Sequence, residues 1–164
     1  MSLGTKQNRT FLNIREGRII KRGRDGQEQT YDYVEGYLGG IYKREREFKG
    51  ERLEYWYFDL QDPNGGEIYS LSVHYSSGVA KSIINSLASA DELGLVRLEV
   101  YQSGDYTKAV VYNNGVKMAW KYTELPPLEE VQLGGRVVKD DSQRMEFIER
   151  VAGEVVGKIN HTAI

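Results

Sequence analysis

The chain contains no cysteine and only two histidines, His74 and His161, among its 164 residues. The missing thiols exclude cysteine nucleophiles, cysteine-ligated zinc and disulfides, and they favour a reducing compartment. Two histidines are too few for a multi-histidine metal centre and make a histidine-based triad hard to build. The composition therefore predicts a protein without a metal or another cofactor.

Long apolar runs are also missing, and none approaches the roughly 20 residues needed to span a bilayer. Residues 1–7 read Met-Ser-Leu-Gly-Thr-Lys-Gln and lack the apolar segment of a signal peptide. We therefore expect a cytoplasmic protein that makes no membrane contact.

Catalytic signatures are absent as well: there is no phosphate-binding Gly-x-x-x-x-Gly-Lys-Ser/Thr loop, no Gly-x-Ser-x-Gly elbow and no His-Glu-x-x-His. Three carboxylates, Asp59, Asp62 and Glu67, lie near one Pro-Asn-Gly turn, where acidic residues are usually exposed to solvent. The sequence predicts a protein that is not an enzyme.

Charge is unevenly distributed although the net charge is only −2. Residues 1–52 carry 12 Lys and Arg against 8 Asp and Glu, whereas residues 53–123 and 124–164 each carry 5 against 8. A mildly basic first third is compatible with nucleic-acid binding, and equally with an ordinary solvated surface.

Alternating apolar residues and turn signals predict a series of strands. Residues 10–22 read as a small hairpin, and the strongest turn signals are Asp-Pro-Asn-Gly-Gly at 62–66 and Asn-Asn-Gly at 113–115. Helical spacing appears after Ser76 and Ser77, which can cap a helix, and again at residues 142–159, where an apolar stripe runs from Met145 to Ile159. Gly134-Gly135 reads as a turn between two short extended pieces. The strands of the central region are predicted at residues 31–42, 53–60, 67–74, 95–102, 106–112 and 116–122.

This order predicts a mainly β protein with three parts. Residues 1–30 form an N-terminal hairpin and loop, residues 31–123 an OB-fold-like antiparallel barrel of five or six strands, and residues 124–164 an acidic linker with a C-terminal amphipathic helix. An OB-fold is a five-stranded Greek-key barrel, and here one helix falls between the third and fourth strands. Gly36, Gly39 and Gly40 would let the long first strand bend through both halves of such a barrel.

Tyrosine is the unusual component, with 12 copies. Alternation places Trp56 and Phe58 towards the core and Tyr55 and Tyr57 on the other face of their strand. In the strand at 31–42 it places Val34 and Leu38 inward and Tyr33 and Tyr37 outward. Outward tyrosines have two explanations. They stabilise sheets through cross-strand pairs, and they also provide surfaces on which nucleic-acid bases stack.

Cations near these tyrosines favour the second explanation. The loop predicted at residues 43–52 is the most basic segment of the chain, and in OB-folds such a loop flanks the oligonucleotide-binding face. The predicted nucleic-acid-binding residues are Tyr33, Tyr37, Lys43, Arg44, Arg46, Lys49, Arg52, Tyr55, Tyr57, Tyr101 and Lys108.

Three segments give the chain a resemblance to OB-fold single-stranded DNA-binding proteins, in particular the divergent ones of bacteriophages. They are Tyr-Val-Glu-Gly-Tyr-Leu at 33–38, Tyr-Trp-Tyr-Phe-Asp-Leu at 55–60 and the helix at 76–87, with Trp-Lys-Tyr-Thr at 120–123 closing the barrel. The resemblance implies sequence-tolerant binding of single-stranded DNA in replication or recombination, with proteins of those processes as partners. The sequence leaves DNA versus RNA open.

The C-terminal region departs from that resemblance. Such proteins often end in a disordered acidic tail, but here the acidic stretch at 124–141 is internal and an amphipathic helix follows. The helix could dock on the barrel or pair with another protomer as a homo-oligomer. An alternative function stays open, in which the tyrosine face of a non-enzymatic accessory module binds another protein.

Overall fold

The computed structural model describes residues 8–162. Over that range the chain forms eleven strands and two helices. The strands are β1 (Asn8–Arg15), β2 (Arg18–Arg22), β3 (Glu28–Tyr31), β4 (Tyr33–Phe48), β5 (Glu51–Gln61), β6 (Glu67–His74), β7 (Leu95–Ser103), β8 (Tyr106–Asn113), β9 (Val116–Lys117), β10 (Glu129–Leu133) and β11 (Arg136–Asp140). The helices are α1 (Gly78–Ala88) and α2 (Ser142–Thr162).

Nine strands form one sheet in the order β3-β2-β1-β6-β5-β4-β7-β8-β9. The prediction of a mainly β chain is confirmed, and so is the succession of three strands, a helix and two strands, here β4, β5, β6, α1, β7 and β8. Within residues 8–162 the strand pairing does not close into a barrel, and the sheet has nine strands instead of five or six.

The N-terminal hairpin accounts for the extra strands. β1 pairs with β6 in parallel, so the sheet is not wholly antiparallel as predicted. The hairpin must bury Leu12 and Ile19, and the free edge of β6 offers both a hydrogen-bonding partner and the apolar core. Its β1–β2 turn reaches the β7–β8 hairpin, where Gly17 N donates to Thr107 Oγ1 at 3.0 Å. The sheet is therefore strongly curved.

β4 is the strand that joins the two halves of this curve. Its residues 33–37 pair with β7 and its residues 37–48 pair with β5, with a register shift between Leu38 and Gly40. At Gly36 an added Cβ would lie 2.6 Å from the Gln61 carbonyl oxygen, so a side chain would collide with β5. The prediction of a glycine-bent first strand is confirmed.

The loop predicted at residues 43–52 is instead a hairpin arm. β4 continues to Phe48, β5 begins at Glu51, and a two-residue turn with φ of 51° at Lys49 and 79° at Gly50 joins them. Positive φ at both central residues is the turn geometry that fits the twist of paired strands. Glu47 and Arg52 face each other near the tip of the arm, Arg52 also pairs with Glu45 at 3.9 Å, and such opposite charges stabilise the ladder.

Two other boundaries differ from prediction. The strand predicted at 116–122 is reduced to β9, because Lys121 N turns to bond Asn85 O of α1 at 3.2 Å. Residues 28–31, assigned partly to a loop, form β3 beside β2.

The two extended pieces predicted around Gly134-Gly135 are present as β10 and β11, which pair only with each other in the described residues.

Both predicted helices are present. Ser77 caps α1, its Oγ accepting from Ala80 N at 3.1 Å, and α2 extends the predicted 142–159 segment to Thr162. The apolar stripe of α2 is buried in the same core cluster as α1 and the sheet; it consists of Met145, Ile148, Val151, Val155 and Ile159. Within residues 8–162, neither helix has the length and apolar character needed to cross a bilayer.

Candidate nucleic-acid interface

A groove crosses the outer face of β4, β5, β6 and β1. Directly opposed residues of neighbouring strands share a face, and the register sets Tyr42 against Tyr57, Tyr57 against Ser72, and Phe11 against Ser70. β6 thus contributes two small serines where its neighbours contribute long side chains. The result is a groove of about 620 Å³, which we call the arginine groove, lined by Arg9, Phe11, Tyr42, Arg44, Arg46, Tyr57 and Asp59.

Aromatic rings and an arginine form one wall of the arginine groove. Tyr42 and Tyr57 stack with centroids 5.4 Å apart and planes 7° apart. The Arg46 guanidinium carbon lies 4.7 Å from the Tyr55 ring centroid and 5.2 Å from that of Tyr57. Arg46 Nε also donates to Tyr57 Oη at 2.5 Å. This wall is a pre-formed stack in which cation and ring positions are mutually fixed.

The other wall comes from the N-terminal strand. Phe11 is 55% exposed although its neighbour Leu12 is buried, so its ring is open to a ligand. Arg9 reaches across β6, where its Nη1 donates to Asp59 Oδ2 at 2.8 Å and to Ser70 Oγ at 2.7 Å. The hydrogen bond to Asp59 raises the pKa of Arg9. This cation is therefore held in a fixed place.

Asp59 accepts several hydrogen bonds at the floor of the groove. It also accepts from Ser70 Oγ at 2.5 Å and from Tyr42 Oη at 3.2 Å. Burial, followed by the Asp59 charge, raises the pKa of Tyr42, so the phenol stays protonated and neutral. Three arginines against one aspartate leave the groove with a positive balance.

A second concavity extends this positive surface along β1 and β2. Its volume is about 880 Å³, and Arg9 and Phe11 line it together with three further cations, Lys21, Arg22 and Arg24. The carboxylate of Glu67 and the phenol of Tyr69 lie at its other side. The basic character of the first third of the chain is thus partly gathered around one end of the β1–β2 hairpin.

The predicted site residues lie on several different surfaces of the protein. Arg44, Arg46 and Tyr57 line the arginine groove, and Tyr55 lies beside it under Arg46. Tyr57 was predicted to be an open outer tyrosine but is only 5% exposed. Tyr57 does lie on the outer face of β5, as predicted, but Tyr42 and Arg46 cover its ring and shield it from solvent.

The remaining cations of the arm do not join the groove. Lys43 shares the face of Trp56, its register partner, and its ammonium pairs with Glu149 of α2 and lies 5.3 Å from the Tyr75 ring. Because the segment is a strand and not a loop, alternation sends Lys43 to the opposite side from Arg44. Lys49 and Arg52 lie at the tip of the arm.

Tyr33 and Tyr37 lie further along the outer face of β4. Their exposed fractions are 45% and 50%, and the inward partners Val34 and Leu38 are buried, as predicted. The Arg97 guanidinium covers Tyr33 at 4.0 Å from its centroid while pairing with Glu35. Tyr101 and Lys108 oppose each other on β7 and β8 and belong to a separate surface.

Four groove residues, Arg9, Phe11, Tyr42 and Asp59, were not among the predicted site residues. The alternation of Arg9 and Phe11 was visible, but nothing in the sequence indicates that β1 pairs in parallel with β6. Tyr42 follows the register shift at Gly39-Gly40. This shift reverses which residues of the strand face outward, so alternation counted from Val34 and Leu38 assigns Tyr42 to the wrong face.

Comparison with known proteins found no matching family model, no similar curated protein and no similar solved structure. Among the residues that the structure describes, no group of three or more histidine or acidic side chains is arranged to hold a metal ion. Function therefore has to be inferred from the groove itself.

Proposed function

We propose that this protein binds single-stranded DNA, with little dependence on sequence, along the arginine groove. The observation that carries the proposal is the combination of the open Phe11 ring and the Tyr42–Tyr57 stack with three arginines on one curved sheet face. The binding is non-enzymatic and serves replication or recombination, where exposed single strands need protection.

An OB-like core provides the framework for this proposal. β4, β5, β6, α1, β7 and β8 follow the OB order, and β4 bends to pair with both β5 and β7. The N-terminal hairpin then extends the sheet from β6 and brings Arg9 and Phe11 to the binding face. In this interpretation the hairpin belongs to the site.

Base stacking and phosphate contacts would contribute separately to the binding free energy. A base stacked on an aromatic ring contributes about 1–3 kcal/mol and requires no particular sequence. Phe11 provides an open ring, and the guanidinium planes of Arg44 and Arg46 provide both positive charge and flat surfaces. Only an unpaired base can present its face to such a site, which favours single strands over duplex.

A protein-interaction module remains the second candidate, and the β10–β11 hairpin favours it. This hairpin exposes four aliphatic side chains, namely Val131, Leu133, Val137 and Val138. Exposed apolar clusters of this kind mark protein contacts more often than nucleic-acid contacts. The two candidates use different surfaces, so charge changes in the groove distinguish them.

The test is a titration of labelled oligo-dT of about 20 nucleotides, longer than the ~4–16 nucleotides that one OB-fold occupies. At about 50 mM salt we expect binding by anisotropy and mobility shift, and log Kd should rise linearly with log salt. The Arg44→Glu/Arg46→Glu variant should bind at least tenfold more weakly. The matched control, Arg136→Glu/Lys139→Glu on β11, should bind like the wild type.

Two outcomes would overturn the proposal. Absence of any mobility shift or anisotropy change with the wild-type protein would remove nucleic acid as the ligand. Equal weakening by the groove variant and the β11 control would show that net charge, and not the arginine groove, determines binding.

A further inference from the structure

A second surface carries aromatic rings and cations at the exposed edge of β8. We call it the β8 edge surface; it surrounds a concavity of about 580 Å³ whose exposed aromatic and charged residues are Tyr101, Tyr106, Lys108, Lys117 and Trp120. Tyr106 is 73% and Trp120 48% exposed. Trp120 Nε1 donates to Ser82 Oγ of α1 at 3.1 Å, which fixes the indole at this edge.

In the described part of the chain these groups have no ion-pair, stacking or cation–π partner. Within residues 8–162, neither Lys108 nor Lys117 forms an ion pair, and no other ring or cation covers Tyr101, Tyr106 or Trp120. The rings of Tyr33 and Tyr57, in contrast, are covered by arginines of the same chain. Uncovered rings beside unpaired ammonium groups suit a ligand that has both flat faces and negative charge.

The β8 edge surface is connected to the arginine groove. A concavity of about 420 Å³ lies between them, lined by Arg46, Tyr55, His74, Ser77 and Thr107 among others. Arg46 also lines the arginine groove, and Thr107 also lines the β8 edge surface. Among the residues that the structure describes, no carboxylate lines the middle concavity or the β8 edge surface. A polyanion leaving the groove at Arg46 therefore meets no acidic barrier there.

We propose that the β8 edge surface binds the continuation of the single strand held in the arginine groove. The strand passes Arg46, Tyr55 and His74 and ends against Trp120, with Lys108 and Lys117 contacting its phosphates. This inference rests on the proposed function and extends it: the ligand is a single strand long enough to cover both surfaces. A short oligonucleotide occupies the arginine groove alone.

Tryptophan fluorescence provides a direct test, since only one of the two tryptophans lies on the proposed path. Trp56 is 3% exposed and stacked on Tyr75, whereas Trp120 lies on the β8 edge surface. We expect oligo-dT of about 20 nucleotides to quench the emission and oligo-dT of about 6 nucleotides to leave it nearly unchanged, lengths chosen around the ~4–16 nucleotides of an OB site. In Trp120→Phe the quenching by the long strand should disappear.

Affinity provides a second test. Lys108→Glu/Lys117→Glu should weaken binding of the long strand at least fivefold and change binding of the short strand less than twofold. The two lost phosphate contacts should also reduce the salt slope for the long strand by about 1.4, at about 0.7 for each contact on a single strand. Arg136→Glu/Lys139→Glu on β11, which changes the net charge by the same amount, is the matched control, and thermal melting checks that each variant is folded.

The outcomes separate this inference from the proposed function. Long-strand binding of wild-type strength in the double variant, with no quenching of Trp120, would overturn the inference while the groove proposal stands. Equal weakening of short and long strands would also overturn it, because the β8 edge surface would then be the primary site. Failure of the wild-type protein to bind either length would overturn both proposals.

Discussion

Arg9 and Asp59 form an ion pair at 2.8 Å that links the N-terminal strand β1 to the central strand β5 across the intervening β6. The Asp59 side chain is only 15% exposed and accepts two further hydrogen bonds, from Ser70 Oγ and Tyr42 Oη, whereas Arg9 remains more open at 38%. The pair therefore fixes a cation on the face of the groove and partly neutralises it.

Replacing Asp59 with Asn should strengthen DNA binding. Asn keeps the shape and removes the one negative charge that the described residues contribute to the arginine groove, which leaves Arg9 fully available for a phosphate. We expect Kd for oligo-dT to fall severalfold at about 50 mM salt and the salt slope to steepen by up to about 0.7. Glu146→Gln, an exposed charge change on α2, is the control. Weaker or unchanged binding in Asp59→Asn would contradict a phosphate role for Arg9.

Phe11→Ala should weaken binding without unfolding the protein. The ring is 55% exposed, so its removal costs little packing, but it takes away a stacking surface of about 1–3 kcal/mol. This corresponds to roughly a 5- to 150-fold rise in Kd, given that about 1.4 kcal/mol is tenfold. Phe11→Tyr should bind normally. Leu133→Ala, an exposed apolar truncation on β10, is the control, and an effect of the same size there would remove Phe11 from the site.

Ile148→Ala should lower the free energy of unfolding by about 2–5 kcal/mol, the usual cost of such a core truncation. Ile148 is completely buried where α2 joins the core. Urea unfolding measures the change, and Glu146→Ala on the exposed face of the same helix should stay within about 0.5 kcal/mol. A small effect of Ile148→Ala would mean that α2 does not stay docked on this chain in solution.

Glu149 should make the stability of α2 docking dependent on pH. The hydrogen bond from Lys43, opposed by burial and reinforced by the Tyr75 hydroxyl, holds the pKa of Glu149 below its usual value. A carboxylate with a lowered pKa stabilises the folded state above its ordinary pKa of about 4.3, and this contribution is lost as the pH falls through the lower, folded value. At neutral pH, Glu149→Gln should therefore melt below the wild type.

The measurement is the melting temperature of both proteins between pH 7 and pH 3. We expect a difference of about 2 °C at neutral pH, since a partly exposed pair contributes up to about 1 kcal/mol. The difference should shrink below about pH 4, around the ordinary glutamate pKa. Glu146→Gln should melt like the wild type throughout. A constant difference across the range would assign the effect to packing and not to ionisation.

Local signals in the sequence were sufficient for much of the fold. Alternation identified Trp56 and Phe58 as core and Tyr33 and Tyr37 as exposed, and Ser77 was a readable helix cap. These features depend on neighbours along the chain. The arm at residues 43–52 was misassigned as a loop because a segment rich in charged residues has the composition of a loop. The alternation of positive and negative residues at 44–47 is also compatible with a strand.

Long-range pairing limited prediction of the site. The parallel alignment of β1 with β6 brings Arg9 beside Asp59, 50 residues away in sequence, and no local pattern specifies such a contact. Tyr57 illustrates a second limit. Its face follows from alternation, but its accessibility depends on Tyr42 and Arg46, whose positions depend in turn on the register shift at Gly39-Gly40.

The two-residue turn at Lys49-Gly50 restricts how the length of the arm can change during evolution. Side chains on paired strands alternate between faces, so deleting one residue between Gly40 and Lys49 would move Arg44 and Arg46 away from Tyr57 and bring Lys43 or Glu45 in their place. Removing the opposed residues Glu47 and Arg52 together would instead keep Arg44 and Arg46 on the face of Tyr57. Insertions and deletions near the tip of the arm should therefore be tolerated only when both strands change together, and relatives of this protein should differ in arm length by even numbers of residues.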